Sequence, residues 1–462
     1  MKQIDPNHHR GIPSGLDKKS IEFKYGFFHK IIIKLVSFYM KRKTQQFLNF
    51  SYTKEDINPP KPNKNKQYLL YIHIPFCKTL CPYCSFHKFK FQERQAREYF
   101  KLLREEMQLI KNQGFDFISL YVGGGTTTIL PDELAKTIDF AKELFSIKDV
   151  SCEGDPLIDE AMIEFLSDKV DRLSIGIQST DDEMLKKIKR FKKFGSSKEQ
   201  LSAIQKAIGK FPILNVDLIF NLPNQTKKDI EDDLDKIVSL HPEQISYYPL
   251  MYSPSVKKGM EKNLGKIHND NEAYFYNTIL NRLSKEYKQI SSWAFSKKDI
   301  DLFDEYVVEY NEYIGLGSGS FSFIEDTLYI NTFSLKKYQE SISKKKLSLE
   351  RYRKYKLIDI LQYQIMLDLF SNKLVLKKYK DNYNIDIESK FKFEFFVLRS
   401  LGVLEKNSYK TTSFGNYFFL TLMKEFYIGM DYIRETSRSS LNKKDKQLQE
   451  NKKNEKFSLF RY

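Results

Sequence analysis

Between residues 67 and 294, apolar runs of strand length recur, and each is followed by a segment whose apolar positions repeat at helical spacing. The runs near 68–74, 117–122, 149–153, 172–177, 214–219 and 244–249 predict strands, with a further one near 288–293. Between them the pattern predicts helices over 92–112, 131–146, 157–168, 181–190, 197–209, 226–239 and 271–287. Strands alternating with helices predict an α/β architecture of parallel strands joined by right-handed crossovers. A β/α barrel, open or closed, carries its site at the C-terminal ends of its strands.

The flanks read differently. Residues 1–66 form a basic N-terminal extension and linker, polar and aperiodic over 1–20 and proline-rich over 54–66. The stretch from Phe27 to Met40 is apolar but interrupted by His29, Lys30 and Lys34. It is too short and too charged to span a bilayer, and no small-residue cleavage site follows it. It reads as a stripe packed on the protein's own core, with a helix lying on a membrane surface as the alternative. Residues 295–350 read as a lid or connecting segment, with short β segments over 304–333 around Gly315–Gly319. From 351 to 432 the pattern is helical, over 355–371, 374–381, 388–400 and 414–428, and the turn after Ser400 suggests a wing. A basic winged helix can bind DNA, which is the non-enzyme alternative. Residues 433–462 have few apolar positions and read as a disordered basic tail.

Chemistry concentrates at the end of the first predicted strand. There Tyr71-Ile-His-Ile-Pro-Phe-Cys77-Lys-Thr-Leu-Cys81-Pro-Tyr-Cys84 packs three of the chain's four cysteines into one loop. Clustered thiolates select zinc or iron–sulfur centres. Three ligands are one short of a closed site, so an iron would keep an open position. Two plainer readings remain: a Cys3His zinc site using His73 or His87, and three unreactive buried thiols.

Composition narrows this picture only a little. The 462 residues suffice for a large catalytic domain with one or two smaller modules, and 41% hydrophobic content supports sizeable cores. Scarce, clustered cysteines exclude a disulfide scaffold and point to a reducing, cytoplasmic setting. The formal charge of +16 sits largely at the two ends and says little about the catalytic part.

The other strand ends carry polar groups too. They are Tyr121-Val-Gly-Gly-Gly-Thr-Thr-Thr128, Cys152-Glu153-Gly-Asp155-Pro156, Ser174-Ile-Gly-Ile-Gln178-Ser with Arg190 a helix later, and Asn215-Val-Asp217-Leu-Ile-Phe-Asn-Leu-Pro223. A triple glycine lets backbone N–H groups approach a ligand, and a carboxylate can accept from an ammonium or a hydroxyl. Any one of these is as readily a cap or a turn. Five strand ends in step with a cysteine loop are not so easily explained.

With the late segment Tyr313-Ile-Gly-Leu-Gly-Ser-Gly-Ser-Phe321, these motifs resemble the HemN-like branch of the radical S-adenosylmethionine (SAM) superfamily over roughly residues 68–430. That branch holds the oxygen-independent coproporphyrinogen III oxidases and their relatives. The resemblance implies a partial (β/α)6 barrel with a winged-helix-like C-terminal module. It implies that Cys77, Cys81 and Cys84 hold a [4Fe–4S] cluster whose open iron chelates SAM, and that one electron cleaves SAM to a 5′-deoxyadenosyl radical. It places Tyr71, Gly124 and Glu153 against the cluster-bound SAM. Tyr83, Gly125, Thr126, Gln178, Arg190 and Asp217 would contact a second SAM of the kind the oxidases carry, and Phe321 also matches a SAM-contacting position. A tetrapyrrole substrate and a reductant such as flavodoxin or ferredoxin follow from the same resemblance, and the C-terminal module would cover substrate instead of DNA.

The departures bear on the reaction. Thr127 stands where the family usually has proline, and Phe86 where the oxidases have a further cysteine. The oxidases' tyrosine-rich N-terminal motif is not found in residues 1–66, and the heme chaperones' HNxxYW motif has no counterpart, since residues 293–313 contain no histidine. The expected reaction is decarboxylation of coproporphyrinogen III propionates to vinyl groups. Radical methyl transfer to heme or another polycyclic substrate, and heme trafficking, are the alternatives.

Overall fold

The parallel strands form where apolar runs leave no polar face. In the computed structural model, which describes residues 23, 25–52, 57–81, 84–252, 254–266, 271–297, 312–442 and 445–446, all six residues of the first long strand are buried. Before and around the cysteine loop lie β1 (Ser51–Tyr52), β2 (Leu69–Ile74), β3 (Phe76–Cys77) and β4 (Phe89–Lys90). The repeating unit continues with β5 (Ser119–Gly124), β6 (Asp149–Gly154), β7 (Arg172–Gln178), β8 (Ile213–Phe220) and β9 (Gln244–Pro249). Then come the hairpin β10 (Tyr287–Gln289) and β11 (Ala294–Lys297), and β12 (Tyr313–Leu316), β13 (Phe321–Ile324), β14 (Thr327–Asn331) and β15 (Leu349–Lys354).

These strands build a 13-stranded sheet in the order β1-β15-β14-β13-β12-β2-β5-β6-β7-β8-β9-β11-β10. The six strands β2, β5, β6, β7, β8 and β9 are neighbours in chain order and pair in parallel. Unbroken chain order is that of a barrel wall; a doubly wound sheet reverses direction at a switch point. The expected six strands are therefore present, and the one expected near 288–293 resolves into the antiparallel β10–β11 hairpin. Local signals set the intervening helices. Ser196 with Glu199 and Thr226 with Asp229 form capping boxes, while Asp159 and Asp181 cap by accepting from the N–H of Met162 and Met184.

Two expectations are corrected and one helix is added. Of the segment read as a lid, residues 298–311 lie outside the described residues, and the rest does not sit apart: β12 pairs in parallel with β2, and β13–β15 continue the same sheet outward. A helix over Pro254–Leu264, unread in the sequence, follows β9. The last long helix runs Ser413–Ser439, so residues 433–439 are helical where a tail was expected. Its final turns carry Asp431, Glu435 and Ser437 buried against the protein, and polar residues on an inward face hide a helix from periodicity. The winged-helix expectation meets short helices over Leu376–Tyr383, Ile387–Lys390 and Lys392–Ser400, and a wing reduced to one bridge between Leu404 and Thr411. Residues 1–22 and 447–462 lie outside the described residues.

One carboxylate pins the sheet extension to the barrel. Glu106, on the helix Glu93–Asn112, accepts from the Gly317 N–H at 2.8 Å, the Tyr338 hydroxyl at 2.8 Å and Asn331 Nδ2 at 3.3 Å. Gly317 has φ +94°, and a Cβ there would sit 2.7 Å from the His73 carbonyl oxygen. Burial pushes Glu106 up to about 7, against those three donors. A raised carboxyl favours the folded state while protonated. Its contribution is whole below the ordinary value of 4.5 and is lost as pH rises through about 7. The stability of the wild type relative to Glu106→Gln should therefore fall between pH 5 and pH 8. Thermal melts of both at the two pH values check this; a constant difference would contradict it.

Candidate active site

The cysteine loop is fixed by backbone before any side chain acts. Ile74 O accepts from the Gly125 N–H and Phe76 O from the Thr126 N–H, both at 2.8 Å, and Cys77 O accepts from the Phe91 N–H at 2.9 Å. Such close apposition excludes side chains on the facing strip. A Cβ on Gly125 would stand 2.6 Å from Phe76 O and 2.9 Å from Cys77 Sγ. The far side of the loop is closed by Lys88, whose buried ammonium donates to Cys81 O at 3.0 Å and Cys84 O at 2.6 Å.

Three thiols emerge from this frame, Cys77 buried and Cys81 and Cys84 half-buried. Burial pushes the Cys77 thiol up. Burial would raise Cys84 too, but the Lys88 ammonium and the Phe86 N–H outweigh it and bring the thiol down. The fourth cysteine, Cys152, is pushed up to about 12 by burial within β6 and plays no part in the loop. Among the described residues, no three His, Cys, Asp or Glu side chains close on a point where one ion would sit. A cube places its ligands on separate corners. Of the two histidines of the zinc alternative, His73 has both ring nitrogens engaged, and His87 keeps only Nδ1 unpartnered. His73 engages the Tyr71 hydroxyl through Nδ1 and the His87 carbonyl through Nε2, both at 2.9 Å, while His87 turns Nε2 to Ser318 at 3.1 Å.

The strand ends beside the loop hold a polar ladder. Glu153 accepts from the Gly124 N–H at 3.0 Å and from the Tyr121 hydroxyl at 3.4 Å. Burial pushes it up to about 7, and the charge of Asp217 adds to the shift. Asp217 accepts from Ser174 at 2.7 Å and Asn215 at 2.6 Å, and Ser246 donates to Asn215 at 3.0 Å. This network crosses β7, β8 and β9. Burial raises Asp217 as well. A negative charge so disfavoured is a ready partner for a ligand cation.

Three of the residues expected at a second ligand, Gln178, Arg190 and Asp217, converge on Gly176. Asp217 is its partner in register, Arg190 donates to its carbonyl, and Gln178, at φ 73°, follows a bulge two residues on. Thr126 Oγ1 lies 3.7 Å from Cys77 Sγ, and the Tyr71 ring lies beside Tyr121 at 6.0 Å. Phe321 is buried at the start of β13 with Arg434 over its ring at 5.7 Å. Tyr83 lies outside the described residues.

Of four further contributors, Lys88, Arg434 and Arg438 carry no sequence pattern that would single them out, and Thr127 shows in the sequence only as a departure from the family's proline. Lys88 holds the loop from behind. The Thr127 hydroxyl donates to the Glu153 carbonyl and lies 3.3 Å from Cys152 Sγ. It ties the glycine strip to β6 where a proline could not. Arg438 donates to Phe86 O at 2.7 Å, and Arg434 stacks over the Phe86 ring at 5.0 Å. Phe86, read as a missing cysteine, is thus where the C-terminal helix grips the loop.

A half-barrel with three cysteines at the end of its first strand is the scaffold of an iron–sulfur radical enzyme, and residues 71–237 match the profile of the radical SAM superfamily. The heme chaperone HemW of Bacillus subtilis (strain 168) is 30% identical over 291 residues, 60% of this chain and 76% of that protein. The oxygen-independent coproporphyrinogen III oxidase of Helicobacter pylori (strain ATCC 700392 / 26695) is 28% identical over 394 residues, 77% and 85% of the two chains. The solved structure of coproporphyrinogen III oxidase (HemN) from Escherichia coli shares the fold, with a TM-score of 0.66 at 21% identity over 78% of this chain and 90% of that one. The chain belongs to the radical SAM superfamily, in its HemN-like branch, whose cofactors are a [4Fe–4S] cluster and SAM. The residues present fit that pair: three sulfur donors on one loop, a strip without side chains facing Cys77, and the half-buried Glu153 carboxylate bonded to that strip.

Replacing Lys88 with Met removes both carbonyl contacts while keeping the stem. Iron and sulfide bound after anaerobic reconstitution should fall to about half or less of wild type, since a buried charge-assisted hydrogen bond is worth several-fold in an equilibrium. Gly125→Ala should fall further. Wild-type loading in both would remove these residues from the site.

Proposed function

We propose that this protein is a radical SAM enzyme acting on a tetrapyrrole, by oxidative decarboxylation of coproporphyrinogen III propionates to vinyl groups. The observation that carries the radical chemistry is Glu153, a half-buried carboxylate pushed up to about 7 at the end of β6 and bonded to the glycine strip that faces Cys77. In this reading Cys77, Cys81 and Cys84 hold the cluster, and the bound pair supplies one-electron cleavage of the sulfonium. Glu153 accepts from the SAM ammonium. Gln178, Arg190 and Asp217, gathered around Gly176, hold a second SAM. Lys193, whose charge reaches the Cys77 thiol, would pair with a propionate. The helix Ser413–Ser439 presses on the loop through Arg434 and Arg438 and keeps water from it.

The oxidase reading is supported by the Helicobacter pylori relative, similar over 77% of the chain. It is supported also by the lack of any histidine in residues 293–313. The B. subtilis relative favours heme trafficking as a second reading.

One experiment separates them. Reconstituted protein is incubated without oxygen with SAM, a reductant and coproporphyrinogen III, and the products are weighed by mass spectrometry. The expected products are 5′-deoxyadenosine, carbon dioxide and a vinyl-bearing porphyrinogen. S-adenosylhomocysteine with a methylated product would mark a methyltransferase, and stoichiometric heme binding without turnover a chaperone. Glu153→Gln should weaken SAM binding about tenfold, the usual scale for a lost charged hydrogen bond.

A further inference from the structure

The helix Phe27–Phe47 has two apolar faces, and the protein uses one. Its inner face, with Ile32, Ile33 and Thr44 buried, packs on the helix Ser413–Ser439. That contact is fixed in rotation. Ser37 donates to Glu425 at 2.5 Å, Phe47 O accepts from the Tyr355 hydroxyl at 2.8 Å, and a Cβ on Gly429 would collide with Thr44. The helix therefore cannot roll its other face inward.

That other face carries Phe27, Phe28, Ile31, Leu35, Phe38 and Tyr39, all exposed, with Phe27 at 80% and Leu35 at 63%. At 3.6 residues per turn the six fall within an arc of roughly 120°. Exposed apolar side chains scattered singly need no explanation, but a contiguous stripe of this kind marks an interaction surface. Its edges are basic. Lys30, Lys34 and Lys41 line one side and Lys43 the other, all exposed, with Arg42 over the Phe38 ring at 4.5 Å. The helix contains no Asp or Glu. No helix among the described residues is long and apolar enough to cross a membrane, so this one is suited to lie in an interface. Aromatic and aliphatic side chains would enter the acyl boundary while the lysines extend to the headgroups.

We propose that the helix Phe27–Phe47 docks this protein on a bilayer surface containing anionic lipid, through the stripe Phe27, Phe28, Ile31, Leu35, Phe38 and Tyr39 and its lysine borders. Charge selects the occupant. Lys41 lies 3.7 Å from Glu425, but the helix itself carries cations and no acid, so it repels a second copy of itself and complements phosphate-bearing headgroups. This places the protein at a membrane without bearing on which tetrapyrrole reaction it performs.

The full chain is floated with vesicles of phosphatidylcholine alone and of phosphatidylcholine with one third phosphatidylglycerol. The expected result is binding to the mixed vesicles only, weakened by salt. The double variant Leu35→Ser, Phe38→Ser should lower the partition coefficient about tenfold or more. The triple variant Lys30→Gln, Lys34→Gln, Lys43→Gln should bring binding to the level of neutral vesicles. Both variants alter exposed positions, and unchanged circular dichroism and melting confirm that they fold. Failure of the wild type to float, or equal flotation by the double variant, would overturn the proposal. So would a dimer in sedimentation that the double variant disperses, because the stripe would then belong to a second copy.

Discussion

The apposition of two backbone segments, 74–77 and 123–126, governs this molecule. Parallel strands pair through evenly spaced hydrogen bonds and normally part where they leave the sheet. Here β2 and β5 stay in contact beyond their ends, because Ile74 and Phe76 pass their carbonyls to the N–H groups of Gly125 and Thr126. Side chains would forbid it. A Cβ on Gly124 would lie 2.7 Å from Ile74 O, as one on Gly125 would crowd Phe76 and Cys77. The glycines hold the cysteine loop at a defined height over the strand ends, and leave one side of Cys77 bare.

Electrostatics around that bare side are arranged by subtraction. The charge of half-buried Asp217 adds to the rise of Glu153, desolvation raises both carboxyls, and the buried Arg172 offsets both only in part. Arg172 is itself held by Gln244 at 2.9 Å. Serine and asparagine hydroxyls and amides satisfy the carboxylate oxygens without neutralising them. A fully bonded but undercompensated network keeps its geometry and still favours a cation entering from the mouth. The thiol loop is treated the opposite way, with Lys88, Arg434 and Arg438 placed behind it. Positive charge behind thiolates favours a reduced, more negative centre.

The barrel was legible because β2 through β9 are apolar runs of strand length, separated by helices with their own caps. Burial on both faces leaves nothing for alternation to obscure. The cysteines, glycines and Glu153 were legible as residue types that do little elsewhere at strand ends. What escaped was what depends on distant partners. β12 to β15 look like a lid in sequence because Gly315–Gly319 breaks every period, yet Gly315 is needed for close packing, since its Cβ would meet Phe321 O at 2.1 Å. The pairing of β12 with β2 joins residues some 240 positions apart, and no local pattern encodes it. Lys88 and Thr127 act through backbone carbonyls, which carry no residue identity to read.

The Ser413–Ser439 helix shows why such long-range terms matter for function. Its middle is anchored by the buried pair Lys424–Glu272, with Asn221 and Tyr417 donating to the same carboxylate at 3.1 and 3.3 Å. Breaking one side of a buried pair leaves an uncompensated charge, so this contact fixes position strongly whatever its net stability. About three and four turns further, Arg434 and Arg438 meet Phe86 in the cysteine loop, while Gly429, between Lys424 and Arg434, lets the helix Phe27–Phe47 approach. One rigid rod thus touches the barrel, the cluster loop and the N-terminal helix. An ion pair at the barrel sets the register of the arginines at the loop, and a glycine facing outward sets how closely the N-terminal helix lies. The cluster loop and the exposed apolar stripe are held at a fixed separation by a single element, and neither can move without it.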